Sequence, residues 1–141
     1  MKTMYRAQNG SPETTLSAAL GTSDTTITVT DGTVLPDAPV PLTIGTNSSC
    51  ELVLCVEKSG NLLTVQRGFY GTVPAAWEAG TAIYRAYTAY DHDTFIDNLQ
   101  GCVEADQGAG NAGKVMVIGE DGKLTPVYIQ SLLTDAAEVG F

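Results

Sequence analysis

The sequence predicts a mainly β fold, a small antiparallel β-sandwich or open barrel followed by one α-helix and a C-terminal β-hairpin. Strand-like segments, β-branched or alternating, recur every 10 to 15 residues through the first ninety residues. Gly, Pro and Asn turn signals separate them, as in small sandwiches and barrels. Beyond residue 90, apolar residues recur at helical spacing, and a second pair of strand-like segments follows. The length of 141 residues suits one domain, or one domain with an appendage.

Five segments of the first ninety residues predict strands because they are rich in β-branched and alternating apolar residues. They are 25–30, 41–45, 50–57, 62–67 and 81–85. The sequence KSGN at 58–61 predicts a hairpin turn, since Gly and Asn tolerate positive φ. The stretch 34–41 contains three prolines and is therefore expected on the surface, outside any central strand.

A helix is predicted to begin near residue 91. Asp91 or Asp93 is expected to be its N-cap, because a carboxylate accepts the first free N–H groups and suits the positive end of the helix dipole. One apolar stripe follows at helical spacing and comprises Phe95, Ile96, Leu99, Cys102 and Val103. Such a stripe must pack on the sheet or on copies of itself.

The last third predicts a second β unit, with strands at 114–118 and 124–129 around a tight turn. An isolated two-stranded hairpin is marginal in water, so it must pack on the main domain or on a neighbouring subunit, and we favour the neighbour. We therefore predict a β-rich docking domain at 1–90 and the helix with the start of a linker at 91–107. Residues 108–141 would form an oligomer-forming hairpin and short tail.

The net charge of −9 argues against nucleic acid and against an anionic membrane surface as partners. No apolar run approaches the roughly 20 residues of a membrane-spanning helix. The first residues lack the apolar stretch of a secretory signal, so synthesis and retention in a cytoplasm are expected. The chain has three cysteines, Cys50, Cys55 and Cys102. An odd count without C-x-x-C spacing favours buried free thiols over disulfides or a zinc site.

No catalytic, cofactor or metal residues are predicted, and the chain is not expected to be an enzyme. Residues 108–113 match G-x-G-x-x-G, but a helix precedes them and a strand follows, the reverse of a dinucleotide site. Asp91, His92 and Asp93 form the one acid–histidine cluster. Helix capping and surface charge explain these acids, although whether the three bind an ion stays open.

Three aromatic residues, Tyr70, Trp77 and Tyr84, leave two interpretations open. The aromatics of the segment 68–80 could cap the open end of the sheet as buried plugs, which is the commoner arrangement. Alternatively, the three rings could form an exposed platform for a ligand.

Four segments together resemble small virion proteins encoded in the tail modules of phages that infect Gram-positive bacteria. They are MYRAQNGSPETTL at 4–16, TTITVTDGTVLP at 25–36, LLTVQRGFYGT at 62–72 and AAWEAGTAIYRAYTAYDHDTFIDNL at 75–99. The segment NAGKVMVIGEDGKLTPVYI at 111–129 is similar to short β units of phage head-fibre and tail-fibre proteins. The resemblance implies a structural protein without catalytic residues.

The resemblance implies a virion component, assembled in the bacterial host cytoplasm, that binds other phage structural proteins. We expect a tail- or baseplate-associated adaptor or fibre-attachment protein, and a homo-oligomer such as a trimer. A capsid head-fibre or decoration protein is the alternative, and a carbohydrate-binding module is the alternative of another class. The subunit-contact candidates, whose other role would be intrachain core, are Phe95, Leu99, Val115, Val117, Val127 and Ile129.

Overall fold

A computed structural model describes residues 1–46 and 48–100 of the chain. The chain divides into two units. Residues 4–92 form the unit that holds the sheet, and residues 1–3 belong with the chain from Asp93 onward. The predicted hairpin at 114–129 lies outside the described residues, and the predicted boundaries after residues 90 and 107 stay predictions.

Six antiparallel strands form one sheet, and a helix follows them. The strands are β1 (Glu13–Thr15), β2 (Thr26–Thr28), β3 (Val40–Thr46), β4 (Ser49–Ser59), β5 (Leu62–Gln66) and β6 (Ala82–Tyr84). Their order in the sheet is β1-β6-β3-β4-β5-β2, and the helix α1 spans Ala89–Gln100. The prediction of a mainly β fold with one helix after it is confirmed.

The sheet curls so that the residues directly after its two outer strands, β1 and β2, come together. Leu16, directly after β1, forms an antiparallel bridge with Val29, directly after β2. Beside it, the Thr30 amide donates to the Thr15 carbonyl at 2.9 Å, and the two threonine hydroxyls are also 2.9 Å apart. A single curled sheet of this kind is a half-barrel, so the open barrel describes the observed strands better than the two-layered sandwich.

The core lies on the concave face of the curled sheet. The alternation of each strand places every second side chain there, so that Leu42 stands opposite Val53 and Ile44 opposite Glu51. Thirteen buried apolar residues form one cluster: Leu16, Leu20, Ile27, Val29, Leu35, Val40, Leu42, Ile44, Val53, Cys55, Leu63, Val65 and Ile83. One member of this inner row, Glu51, is charged.

The prediction that the stretch 34–41 lies outside any central strand was wrong at its C-terminal end. The strand β3 begins at Val40, includes Pro41 and lies between β6 and β4. The pairing with β6 covers Thr43 and Ile44, whereas Pro41 pairs with Leu54 of β4. Pro41 therefore lies in a part of β3 that pairs with β4 alone. Its missing N–H does not disrupt the pairing with β6, because that pairing involves Thr43 and Ile44.

The start of the helix also differs from the prediction. The helix α1 begins at Ala89, and Asp91 lies inside its first turn. The Asp91 carboxylate accepts hydrogen bonds from the backbone N–H of Thr88 at 2.8 Å and from its hydroxyl at 2.9 Å. This is the reciprocal half of a capping box. Thr88 precedes the helix, so the prediction that Asp91 or Asp93 is the N-cap was wrong.

The cysteines were predicted as buried thiols. Cys55 is buried in the core, but Cys50 is exposed, so the prediction is wrong for Cys50. Five positions along a strand reverse the face, which explains the difference between the two thiols. Cys102 lies outside the described residues.

Candidate functional site

The carboxylate of Glu51, whose residue is 0% exposed, is the centre of a dense hydrogen-bond network in the sheet unit. Arg67 donates to it twice, from Nε to Oε1 at 2.7 Å and from Nη2 to Oε2 at 2.8 Å. The backbone N–H groups of Gly68 and Ala75 donate at 3.1 Å each. The indole Nε1 of Trp77 donates at 2.9 Å. Five donors therefore surround one buried charge.

Arg67 connects this carboxylate to a second part of the chain. Its Nη1 donates to the carbonyl oxygens of Gly21 at 2.7 Å and Asp24 at 2.9 Å. Its Nη2 also donates to the carbonyl of Ala75 at 2.7 Å. One guanidinium thus joins β4 to the turn at 21–24 and to the segment 68–80. We name Glu51, Arg67 and Trp77 the Glu51 cluster.

Trp77 closes the Glu51 cluster against the sheet. Its ring lies against Gly45, where any Cβ would come within 2.8 Å of two ring atoms. Its backbone forms a two-way bridge with Leu20, at 2.8 and 2.9 Å. The ring is half-buried against the core. These contacts use the indole N–H and one ring face within the chain.

The electrostatics of the Glu51 cluster favour a structural role. Burial alone would raise the pKa of Glu51, but hydrogen bonds from Arg67, Trp77, Ala75 and Gly68 outweigh it and lower the pKa to about 2. A carboxylate with so low a pKa stays ionised at neutral pH and is a poor general base or acid. The cluster holds loops in place.

A second buried pair stands where β6 leads into α1. The guanidinium of Arg85, which is 2% exposed, donates to Asp91 Oδ1 at 2.5 Å and Oδ2 at 2.9 Å. It also donates to the carbonyls of Tyr5, Arg6 and Ala86. Burial raises the pKa of Asp91, but the hydrogen bonds with Arg85 and Thr88 outweigh it, and the pKa is lowered overall.

These contacts bear on the acid–histidine cluster at 91–93. Both carboxylate oxygens of Asp91 accept hydrogen bonds from Arg85, and Oδ2 also accepts from Thr88. His92 is exposed. Within 1–46 and 48–100, no three His, Cys, Asp or Glu side chains lie close enough to hold a metal ion together. A cation at Asp91 would have to displace a buried bidentate arginine.

Neither a scan of protein-family models nor a search of curated proteins found a match to this sequence. The resemblance to phage virion proteins therefore stays an expectation from the sequence. Over the same described part of the chain, no helix is both long and apolar enough to cross a membrane.

The three residues of the predicted ligand platform have different neighbours in the structure. Trp77 belongs to the Glu51 cluster, and Tyr84 is half-buried on β6, opposite Glu13 of β1. Tyr70 is 45% exposed and packs edge-on against Tyr90, with ring centroids 5.2 Å apart. A platform built from Tyr70, Trp77 and Tyr84 stays a prediction, as does the alternative of buried plugs.

The sequence did not predict the aromatic group to which Tyr70 belongs. Tyr90 is its centre, with ring centroids 4.9 Å from Phe69 and 5.7 Å from Tyr5. The backbone of Tyr70 is left-handed, with φ of 51°, between Gly68 at 62° and Gly71 at 81°. The glycines on either side of Phe69 and Tyr70 were the available signal, because they permit the turn that brings these rings to Tyr90.

Two of the six predicted subunit-contact residues lie in the described part of the chain. Phe95 is 51% exposed and Leu99 is 58% exposed. They are one helical turn apart on α1 and therefore neighbours on its surface. Val115, Val117, Val127 and Ile129 lie outside the described residues.

Proposed function

We propose that this protein is a structural component of a bacteriophage particle, a tail- or baseplate-associated adaptor or fibre-attachment protein that acts by binding other proteins. The single observation behind the proposal is the exposed apolar pair on α1, Phe95 and Leu99. Adjacent large apolar side chains that remain half exposed are typical of surfaces that a partner covers. The resemblance of the segments 4–16, 25–36, 62–72 and 75–99 to small virion proteins supports a place in a phage particle.

The buried polar groups support a scaffold role. Glu51 and Asp91 are each bound by an arginine and by further donors from the same chain. Both pKa values are lowered, as in structural ion pairs and unlike acids poised for proton transfer near neutral pH. A sheet unit whose two buried carboxylates are bonded within the chain is suited to holding position in an assembly.

The first experiment measures self-association through the exposed pair. Light scattering on the purified chain should give a mass that is a small multiple of 14.8 kDa. The double variant Phe95→Gln/Leu99→Gln should shift that mass toward the monomer, because glutamine keeps helix propensity while removing apolar area. Val73→Gln, at a residue that is 78% exposed and outside the helix, is the matched control and should leave the mass unchanged.

Two outcomes of this measurement would count against the proposal. A monomeric wild-type chain at every concentration would remove self-association, and an unchanged mass in the double variant would remove the α1 pair from the interface.

The location within the particle requires a separate test. Gold-labelled antibody against this chain should decorate the tail or baseplate of intact particles in electron micrographs. Label on the head would replace this location with the capsid head-fibre or decoration role. Unlabelled particles, with the chain present in the infected cell, would reject the virion role.

A carbohydrate-binding role is favoured by one observation, the exposed Tyr70 held in a left-handed backbone within an aromatic group. Strained residues often mark binding sites. A glycan array should then give hits that Tyr70→Ala removes and that Tyr87→Ala, at a 66% exposed tyrosine, leaves in place. An array without hits would discard this second candidate.

A further inference from the structure

Asn9 and Gly10 form the exposed tip of a turn that precedes β1. The Ser11 N–H donates to the Gln8 carbonyl oxygen at 3.1 Å and closes the turn around them. Gly10 has a φ of 72°, the positive value that the third residue of a type II turn requires. Both residues are exposed, and a Cβ added to Gly10 would meet no atom within 4 Å. The pair therefore lies in open solvent.

An asparagine followed by glycine carries its own nucleophile. The backbone nitrogen of Gly10 bonds to the side-chain carbon Cγ of Asn9, the side-chain nitrogen leaves as ammonia, and a cyclic succinimide forms. Water then opens the ring at either carbonyl carbon. One opening gives aspartate, and the other gives isoaspartate, in which the main chain runs through the side-chain carbon. Glycine favours ring closure because it has no Cβ to obstruct the approach.

The turn places little restraint on this reaction. Ring closure requires the turn to open, since the Gly10 nitrogen must swing toward the Asn9 side chain. The hydrogen bond that closes the turn joins Ser11 to Gln8, so it holds neither the Asn9 side chain nor the Gly10 N–H. Exposed loops open locally at a free-energy cost near zero. The folded chain therefore leaves the reacting atoms free to meet.

A second pair of this chemical kind, Asp31 followed by Gly32, is held in place. An aspartate before glycine forms the same ring, with water as the leaving group. Here the Gly32 N–H donates to Asn61 Oδ1 at 2.8 Å, and Gly32 is buried. Asp31 Oδ1 accepts from the Thr33 N–H at 2.9 Å and from its hydroxyl at 2.6 Å. Both the nucleophile and the carboxyl group are engaged, in contrast to Asn9 and Gly10.

We propose that Asn9 is a site of spontaneous deamidation in the folded chain, converted through a succinimide to aspartate and isoaspartate. Asparagine precedes glycine once in the sequence, at 9–10. Each conversion consumes one water, releases one ammonia and replaces a neutral amide by a carboxylate, which takes the net charge from −9 to −10. The proposal does not depend on the assembly role.

Contacts on both sides of the turn confine the structural change. Arg85 binds the carbonyl oxygens of Tyr5 and Arg6 before the turn, and Glu13–Thr15 pairs with β6 after it. Isoaspartate lengthens the main chain by one carbon atom within the loop between these anchors. Exposed loop tips tolerate such insertions. We therefore expect the sheet to remain intact in converted copies.

Ageing the purified chain in mildly alkaline buffer tests the proposal, because base generates the attacking nitrogen. Anion exchange should resolve a more acidic species, and peptide mass spectrometry with electron-transfer fragmentation should place aspartate and isoaspartate at residue 9. The conversion rate of Asn9 should lie within about tenfold of the rate in guanidinium chloride, since tenfold protection corresponds to only about 1.4 kcal/mol. Slower conversion than this in the folded chain, or conversion confined to other asparagines, would overturn the proposal.

The matched variant is Asn9→Gln, in which the longer side chain requires a larger and less favourable ring. It should lack the acidic species, and persistence of that species would place the modification elsewhere and reject Asn9. Converted and unconverted copies, separated by anion exchange, should unfold at the same denaturant midpoint. A lower midpoint for the isoaspartate copies would overturn the confinement of the change to the turn.

Discussion

A single charged residue, Glu51, determines how the loops of the sheet unit are held. An isolated charge in a protein interior is costly unless it is paired and hydrogen-bonded. Glu51 meets that condition with five donors from Arg67, Gly68, Ala75 and Trp77. Since those donors come from the segment that joins β5 to β6, the charge binds this segment to β4.

The first prediction concerns the loss of that charge. Glu51→Gln keeps the size of the side chain but leaves Arg67 buried beside a neutral amide. Breaking a buried ion pair from one side costs about 3–5 kcal/mol. Urea unfolding followed by tryptophan fluorescence should show a loss of that order, whereas Glu78→Gln on the surface should stay within about 0.5 kcal/mol of wild type. A loss below about 1 kcal/mol would contradict the role given to Glu51.

The same residue gives a pH dependence with a definite sign. Its pKa falls from an ordinary 4.5 to about 2 in the folded chain. A lowered folded pKa contributes stability that is fully present above pH 4.5 and is lost as the pH falls toward 2. Glu51→Gln should therefore lose less stability than wild type over this interval, in unfolding curves measured at each pH.

A second residue prediction uses an unsatisfied hydroxyl. Thr43 Oγ1 is buried on β3 and has no hydrogen-bond partner within the described part of the chain. An unpaired buried polar group costs about 1–3 kcal/mol. Thr43→Val keeps the β-branched shape and should raise the free energy of unfolding by about 1 kcal/mol. Thr64→Val, at an exposed residue of β5, is the control, and equal effects at both sites would refute the argument.

At the scale of elements, one side chain bonds a strand edge beyond the end of its neighbouring strand. The strand β5 pairs with β4 from Leu54 onward, and among the strands of residues 1–46 and 48–100 none pairs with the preceding part of β4 on that side. There the Thr72 hydroxyl accepts from the Leu52 N–H at 3.0 Å and is 3.1 Å from the Leu52 carbonyl oxygen. A loop residue thus bonds the strand backbone where β5 has ended.

The corresponding prediction is local opening of this edge. Thr72→Val removes the hydroxyl and leaves the Leu52 N–H without its acceptor, which should cost about 1–2 kcal/mol. Hydrogen exchange should accelerate at the Leu52 amide. The amide of Val53, on the same strand, is the internal control because β4 pairs with β3 there. Equal acceleration at both amides would indicate a global loss of stability and not the local opening expected here.

The sequence predicted those elements whose patterns are local. The hairpin of β4 and β5 follows from alternating residues around a Gly-Asn turn, and the observed strands, Ser49–Ser59 and Leu62–Gln66, enclose Gly60 and Asn61. The strand β1 was missed because its three residues, Glu13–Thr15, show no period. It exists through pairing with β6, a contact nearly seventy residues away that no local pattern encodes.

The candidate site was predicted less well for the same reason. An acid inside the apolar strand CELVLCVE is a signal of a buried charge, but its partner Arg67 is 16 residues away and could be chosen only from the pairing of β4 with β5. The exposed pair Phe95 and Leu99 was accessible to prediction, since helical period alone places them on one side of α1. Contacts between distant segments, such as Lys2 with Asn98, have no sequence pattern.

At the scale of the whole molecule, charge opposes assembly while apolar area favours it. Every copy carries a net charge of −9, so copies that approach one another repel. In the proposed assembly, exposed Phe95 and Leu99 would supply the opposing attraction. Repulsion between exposed charges is screened over about 10 Å at 0.1 M ionic strength and about 3 Å at 1 M, whereas apolar association is not weakened by moderate salt.

The balance predicts that salt strengthens the proposed self-association. Raising sodium chloride from about 0.02 to about 0.5 M should lower the dissociation constant measured by sedimentation equilibrium, because screening removes repulsion between copies of charge −9 and leaves the apolar contact intact. The double variant Phe95→Gln/Leu99→Gln should remain largely monomeric at every salt concentration. Association that weakens with salt would instead indicate an interface held by ion pairs, and the apolar pair would lose its assigned role.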